Sequence, residues 1–324
     1  MTAQAEGIAD VLRVVFMGTP DFAAESLAAL LGSEECKVVG VYTQPDRPCG
    51  RGRQCKPSPV KQLALEHGLT VYQPENFKSG QAVSELAALE PDVLVVAAYG
   101  LILPQSVLDI PKLLPLNVHA SLLPKYRGAA PIQRSIENGD IVTGISIMRM
   151  EAGLDTGPVM VARALRIGHD DHAGMIHDEL ASLGGVCIVE ALARLRRNDY
   201  EFKTQDDSLA TYAAKLSKKE GFIDWNRPAQ AIHNRIRAMY PWPGAFFDWD
   251  RPEGKPLRLN VTPGRISDKD SGAIAPGTVL GRMDGMLAIT TADKIYLTPE
   301  VKPQGKKAMS AEAFACGYMK DCPA

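Results

Sequence analysis

Apolar residues recur in two patterns along this chain. In the first half, short runs that are apolar nearly throughout alternate with stretches whose apolar positions return every three or four residues. Residues 12–17 (LRVVFM), 37–43 (KVVGVYT) and 92–98 (DVLVVAA) are of the first kind. Runs this short and this rich in β-branched residues predict strands covered on both faces. Residues 22–31 and 79–89 have helical spacing, and Ser58 followed by Pro59 opens a helix through residue 67. Residues 70–72, 116–119, 142–150 and 159–167 add strands; 131–137 and 173–195 add helices. Strand–helix alternation predicts an α/β fold, a Rossmann-like, doubly wound, mostly parallel sheet. Such sheets bind ligands beyond the carboxyl ends of their strands.

The pattern changes near residues 199–220: residues 199–208 are polar and linker-like, and one short helix is expected to follow. Beyond them, after a helix at 229–239, turns become dense and apolar runs short: 245–249, 257–261, 277–280, 287–290 and 294–297. That spacing predicts a small β-barrel. The expected division is a first domain over 1–200, a linker over 201–220 and a second domain over 221–324.

Composition narrows the class. The 324 residues are 45% hydrophobic, enough for one large core or two ordinary ones. No apolar run has membrane-spanning length, and the first ten residues have no apolar segment of the secretory kind. Six cysteines without a CxxC pair predict free thiols in a reducing compartment. A cytoplasmic location without membrane contact is expected. The formal charge of −2 conceals an asymmetry: residues 218–324 hold 16 Lys+Arg against 12 Asp+Glu, a net of +4, leaving −6 for the rest. The second domain is the basic part.

The chemistry concentrates at the end of one strand. Asn117 and His119 stand two residues apart and share a side of it. Asp155 follows on the Gly-flanked turn Gly153-Leu-Asp-Thr-Gly157. Amide, imidazole and carboxylate suit acyl transfer: one positions a carbonyl oxygen, one handles protons, one orients or charges the imidazole. The turn Met17-Gly-Thr-Pro-Asp-Phe22 lacks GxGxxG, which disfavours a nicotinamide dehydrogenase. No GxSxG or P-loop occurs. His169 and His172 lack a third convergent ligand, so no metal is expected. Residues 44–57 (QPDRPCGRGRQCKP) are longer than ordinary strand–helix connections and carry Arg47, Arg51, Arg53 and Lys56 against Asp46 alone. Their length and basicity favour phosphate contact. After the strand at 92–98, Tyr99-Gly-Leu-Ile-Leu-Pro104 serves equally as a packed turn or as a wall for a flat heterocycle.

At these residues the chain resembles the 10-formyltetrahydrofolate-using formyltransferase family, over nearly its whole length. Asn117-Val-His-Ala-Ser-Leu-Leu-Pro124, Arg127-Gly-Ala-Ala-Pro-Ile-Gln133 and Gly153-Leu-Asp-Thr-Gly157 carry the resemblance to the family at large. The basic loop, Tyr212-Ala-Ala-Lys-Leu-Ser217, Pro241-Trp-Pro243 and Gly305-Lys-Lys-Ala-Met-Ser310 narrow it to the branch acting on methionyl-tRNA. The resemblance implies a Rossmann-like catalytic domain, an OB-like C-terminal barrel that binds tRNA, and 10-formyltetrahydrofolate as co-substrate without a metal. It implies methionyl-initiator tRNA as the partner, and no obligate protein partner. Carried over, Asn117, His119 and Asp155 match the catalytic set. Ser121, Leu122, Leu123 and Pro124 match the folate-contacting segment, and Tyr99, Gly100, Leu101, Ile102 and Leu103 the pterin-side loop. Arg51 and its neighbours match the loop approaching the acceptor end of the tRNA. Cys49 and Cys55 depart from the small or apolar residues expected there, and the basic pattern is intact.

On this reading a neutral amine attacks the formyl carbon directly, with no covalent intermediate. Asn117 donates to the developing oxyanion. His119, charged through Asp155, does likewise or shuttles protons; alternatively Asp155 organises a water that relays the amine proton. Two other classes stay open: a formyltransferase of a small amine whose tail is an interaction module, and a folate- or RNA-binding protein without catalysis, against which the intact Asn117/His119/Asp155 set argues.

Overall fold

The computed structural model describes residues 11–49, 54–251 and 255–319. The chain divides into two compact units. The first comprises Met1–Gly128, Thr143–Leu165 and His177–Tyr212, the second Ala129–Val142, Arg166–Ile176 and Ala213–Ala324.

The predicted sheet is present. Its strands are β1 (Leu12–Gly18), β2 (Cys36–Tyr42), β3 (Val71–Tyr72), β4 (Val93–Ala97), β5 (Leu114–His119), β6 (Val142–Arg149) and β7 (Val159–Arg166). They lie in the order β7-β6-β5-β4-β1-β2-β3. Neighbours from β3 through β5 are parallel, and β6 runs antiparallel to β5. The reversal from β1–β2 to β1–β4 puts the loops after these strands at one edge, where such sheets take ligands. Helices α1 (Asp21–Leu31), α2 (Pro59–Glu66), α3 (Gly80–Ala87) and the one-turn α4 (Gln105–Leu108) connect them.

Local chemistry explains these elements. The five residues of β4 are all buried, as an unbroken apolar run requires. Arg13 is the polar intruder in β1; its guanidinium donates to the Leu89 and Glu90 carbonyls, and its backbone N–H to Asp92. Gly18 ends β1 where a Cβ would fall 2.6 Å from Ala23 Cβ and 2.9 Å from the Ala97 oxygen. That glycine serves close strand–helix packing. Ser58 caps α2, its Oγ accepting from Lys61 N–H at 3.1 Å, with Pro59 in the first turn. Residues 44–57, expected as a long loop, contain a short antiparallel ribbon pairing Pro48–Cys49 with Gln54–Cys55. The basic tip between those strands lies outside the described residues.

The second unit includes α5 (Pro131–Glu137), which packs against α7 (Ala229–Ala238). Arg235 of α7 pairs with Glu137, and Arg134 bridges Glu137 and Glu220. The long α6 (Ala173–Arg196) stands between these two in sequence. The C-terminal strands form two four-stranded antiparallel sheets. One holds β8 (Ala245–Trp249), β9 (Leu257–Val261), β13 (Glu300–Pro303) and β14 (Met309–Ser310), in that order. The other is ordered β10 (Arg265–Asp270), β12 (Lys294–Thr298), β11b (Met286–Thr290) and β11a (Val279–Met283), the last two forming a hairpin. The short antiparallel strands that the spacing predicted therefore form two sheets. Within these two sheets, three of the described strands had no forecast: β10, with five polar residues in six, and the brief β13 and β14. The helix α8 (Ala311–Tyr318) was also unforeseen, although Ser310 caps it and Ala311, Phe314 and Ala315 are buried at helical spacing.

No helix among the described residues is long and apolar enough to cross a membrane. Cys36 and Cys187 are buried thiols outside any disulfide, and burial pushes both up to about 11, so neither is a ready nucleophile.

Candidate active site

The loops at the carboxyl ends of β1, β2 and β4 are tied to one another. Thr19 Oγ1 and Gln44 Nε2 both donate to the Tyr99 carbonyl at 3.1 Å, and Gln44 N–H donates to Thr19 Oγ1 at 3.3 Å. Gly100, at φ +79°, follows where a Cβ would meet Gln44 Nε2 at 2.4 Å. Only a residue without a side chain fits that approach. Tyr99 and Leu103 are buried, Leu101 packs on the same core, and Ile102 is 94% exposed. Among the described residues the buried Tyr99 hydroxyl has no hydrogen-bond partner, and burial holds it well above the usual phenol range. The two readings of this loop thus divide by residue: Tyr99, Leu101 and Leu103 face the core, while Ile102 faces outward.

The next strand, β5, carries Asn117 beside Val96 of β4. Asn117 is half-buried and His119 buried. The His119 ring is oriented by its own segment, since Nε2 lies 2.9 Å from the Tyr126 carbonyl oxygen. A carbonyl only accepts, so Nε2 carries a proton. Nδ1 then faces Asp155 Oδ2 at 3.7 Å, beyond direct hydrogen-bond reach. An N–H or O–H group seated against both atoms would satisfy both. Asp155 Oδ2 also accepts from Gly128 N–H at 2.8 Å.

Asp155 has φ +52°, and Ala98 and Tyr126, at +43° and +61°, share the left-handed region. Aspartate tolerates that conformation better than most residues, and its clustering with two others around one edge is the kind of strain functional sites hold. Downstream of His119, the buried Ser121 hydroxyl donates to the Lys125 carbonyl at 2.6 Å. Ser146 Oγ joins the segment to β6, donating to the Ser121 carbonyl and accepting from Leu123 N–H. Leu122 packs against Gly144, where a Cβ would fall 2.6 Å from Leu122 Cδ2. Leu122, Leu123 and Pro124 are each half-buried, with a cis bond before Pro124.

Asn117, His119 and Asp155 are thus brought to one place, next to the Tyr99–Leu103 loop on the adjoining strand. Of the basic loop, Arg47 and Lys56 are exposed; Arg51 and Arg53 lie outside the described residues. Asp46 binds Lys61 and Gln73 at the root of the loop, and the Lys61 bond holds its carboxyl below the usual range. The sequence reading missed Thr19, Gln44 and Ser146, which offer only ordinary turn chemistry, and Gln205, treated below. It also missed a partner for His169. His233 of α7 stacks on His169 with ring centroids 4.8 Å apart, and Asp170 lies beside both. His233 Nε2 already bonds the His169 carbonyl at 2.9 Å, so this is a hydrogen-bonded pair rather than three free ligands.

The formyl transferase family matches residues 12–192, and the formyl transferase C-terminal domain matches 215–319. The chain belongs to the formyl transferase family. Its relatives along nearly the whole length are methionyl-tRNA formyltransferases. That of Nitratidesulfovibrio vulgaris strain DP4 is 55% identical over 311 residues, covering 96% of this chain and 94% of the relative. That of Pseudomonas fluorescens SBW25 is 50% identical, covering 94% and 93%. Among solved structures, the sugar 3N-formyl transferase WlaRD shares the fold with a TM-score of 0.64 at 17% identity, covering 92% of this chain and 99% of that one. HypX from Aquifex aeolicus, in complex with tetrahydrofolic acid, does so with a TM-score of 0.61 at 16% identity, covering 96% and 48%.

Proposed function

We propose that this chain transfers the formyl group of 10-formyltetrahydrofolate to the α-amino group of methionyl-tRNA, the step that prepares the initiator for translation. Full-length relatives that are formyltransferases of that substrate, at 55% and 50% identity, support the acceptor. The observation that carries the chemistry is the arrangement of His119 between the Tyr126 carbonyl and Asp155.

With Nε2–H given to Tyr126, a neutral His119 presents Nδ1 as an acceptor beside a second acceptor, the Asp155 carboxylate. Two acceptors facing one gap suit an incoming amine. An α-amino group titrates near about 7.7 in a free terminus, and an adjacent ester lowers that, so little basicity is needed. The amine nitrogen bonds to the formyl carbon and charge grows on the formyl oxygen, which the Asn117 carboxamide stabilises by donation. The amine proton passes to Nδ1, either directly or through a water held by Asp155. The carbon–N10 bond then breaks, and the proton goes to N10 of the departing tetrahydrofolate. His119 has no N–H left for the oxyanion in this arrangement, so proton transfer is its role. Ser121–Pro124 and Tyr99–Leu103 form the folate side.

Arg47, Arg51, Arg53 and Lys56 meet tRNA phosphates, with the basic residues of 221–324 as the second contact. The catalytic portion is taken as 1–200, with 201–220 as linker, and the reaction as cytoplasmic. The test is formylation of charged initiator tRNA against an uncharged control. Asn117→Ala, His119→Ala and Asp155→Asn should each lower kcat by about 10²–10³ at unchanged folate affinity. Near wild-type turnover in His119→Ala or Asp155→Asn sinks the assignment.

A further inference from the structure

The turn bearing Asp155 is gripped by a residue from the polar stretch after α6. Gln205 Nε2 donates to the Asp155 carbonyl at 2.8 Å and to the Gly157 carbonyl at 2.7 Å. Gln205 Oε1 accepts from Arg127 Nε at 3.1 Å and Nη2 at 2.9 Å. Arg127, only 2% exposed, also reaches Asp207 at 2.7 Å. The neighbouring Gly128 N–H meets the Asp155 carboxylate directly. The Arg127–Gly128 segment therefore holds Asp155 twice, at the carboxylate through its backbone and at the carbonyl through Gln205.

We propose that Gln205 is a positioning residue for the transfer reaction, clamping the Gly153–Gly157 turn so that the Asp155 carboxylate faces His119 Nδ1. The inference rests on Asp155 taking part in catalysis as read above. Residue chemistry calls for a side-chain amide, which glutamine supplies. One side needs two N–H donors for two turn carbonyls, and the other an acceptor for a buried guanidinium. Glutamate has no donors, and lysine and arginine have no acceptor. The left-handed backbone at Asp155 is sparsely populated even for aspartate, and the clamp helps to hold it. Where Asp155 and His119 stand 3.7 Å apart across a gap for the reacting group, a shift of the turn by an ångström misplaces the proton path. Misplacement on that scale costs up to about a hundredfold in rate.

The alternative is that Gln205 merely staples its own segment to the body. Coupling to Asp155 separates the two. The full chain is assayed with 10-formyltetrahydrofolate and methionyl-tRNA for Gln205→Ala and Gln205→Glu, each alone and with Asp155→Asn. Gln205→Glu keeps an acceptor for Arg127 and replaces the donors to the turn by a charged carboxylate oxygen, so it gives a second reading should Gln205→Ala fail to fold. The expected result is a kcat loss of about tenfold at unchanged folate KM, shrinking to less than about twofold in the Asp155→Asn background. Wild-type kcat in Gln205→Glu, or the same tenfold loss with Asp155→Asn already present, overturns the positioning role. Asp155→Asn at wild-type turnover overturns the catalytic reading itself, and the positioning role with it.

Discussion

Single side chains here act through what fixes them as much as through what they carry. His119 is a base candidate because the Tyr126 carbonyl claims its Nε2 proton, leaving Nδ1 toward Asp155. The sequence placed the imidazole two residues from an amide on one strand, but the carbonyl that settles its tautomer belongs to Tyr126, in a left-handed turn no spacing reveals. Glycines around the site are equally decisive. A Cβ at Gly157 would lie 1.9 Å from the Arg149 carbonyl oxygen, an overlap with backbone that cannot swing aside. Gly157→Ala is expected to cost at least about 1–3 kcal/mol, read by denaturant unfolding, and to reduce turnover by displacing Asp155. Unchanged stability would mean that β6 and the turn yield more freely than their packing suggests.

Elements formed where a local signal and a buried face agreed. Helix α2 has both: Ser58 caps it, Pro59 begins it, and Val60 and Ala64 are its buried positions. Ser58→Ala should lower stability by about 1 kcal/mol, measurable in the unfolding midpoint, because Lys61 N–H then loses its acceptor. Strand β10 had no such signal; five of its six residues are polar, and it exists because β12 pairs with it. Helix α7 shows burial acting against a charge. His233 lies fully buried on it, facing His169, Arg237, Asp170 and Tyr296, and burial pushes its imidazole down from 6.5 to about 4. Below pH 6.5 the unfolded chain takes up a proton that the folded chain refuses, so stability should fall as pH drops from 6.5 to 4 and level off below, by about 3 kcal/mol at most. Denaturant titrations across that range should show the slope, and His233→Gln should flatten it.

For the molecule as a whole, the proposed function divides between chemistry at the sheet edge and capture of a large polyanion. If the basic loop and the C-terminal residues meet phosphates, affinity for methionyl-tRNA should fall linearly in log–log plots against salt. Arg51→Ala and Arg53→Ala should each shallow that slope by about one, with folate affinity intact. Loss of folate binding in either would place the loop elsewhere. The sequence alone determined the parallel sheet, the edge where ligands gather and the residue types at that edge, because apolar periodicity and strand ends are local properties of a chain. The resemblance in its motifs determined the substrates. Only the tertiary structure decided that Gln205, 50 residues beyond Asp155, bonds its carbonyl. The same holds for His233 packing on His169, 64 residues away, and for which strands fill the C-terminal sheets. Those outcomes follow from satisfying buried polar groups and pairing strand edges across long separations, and no window of sequence contains both partners.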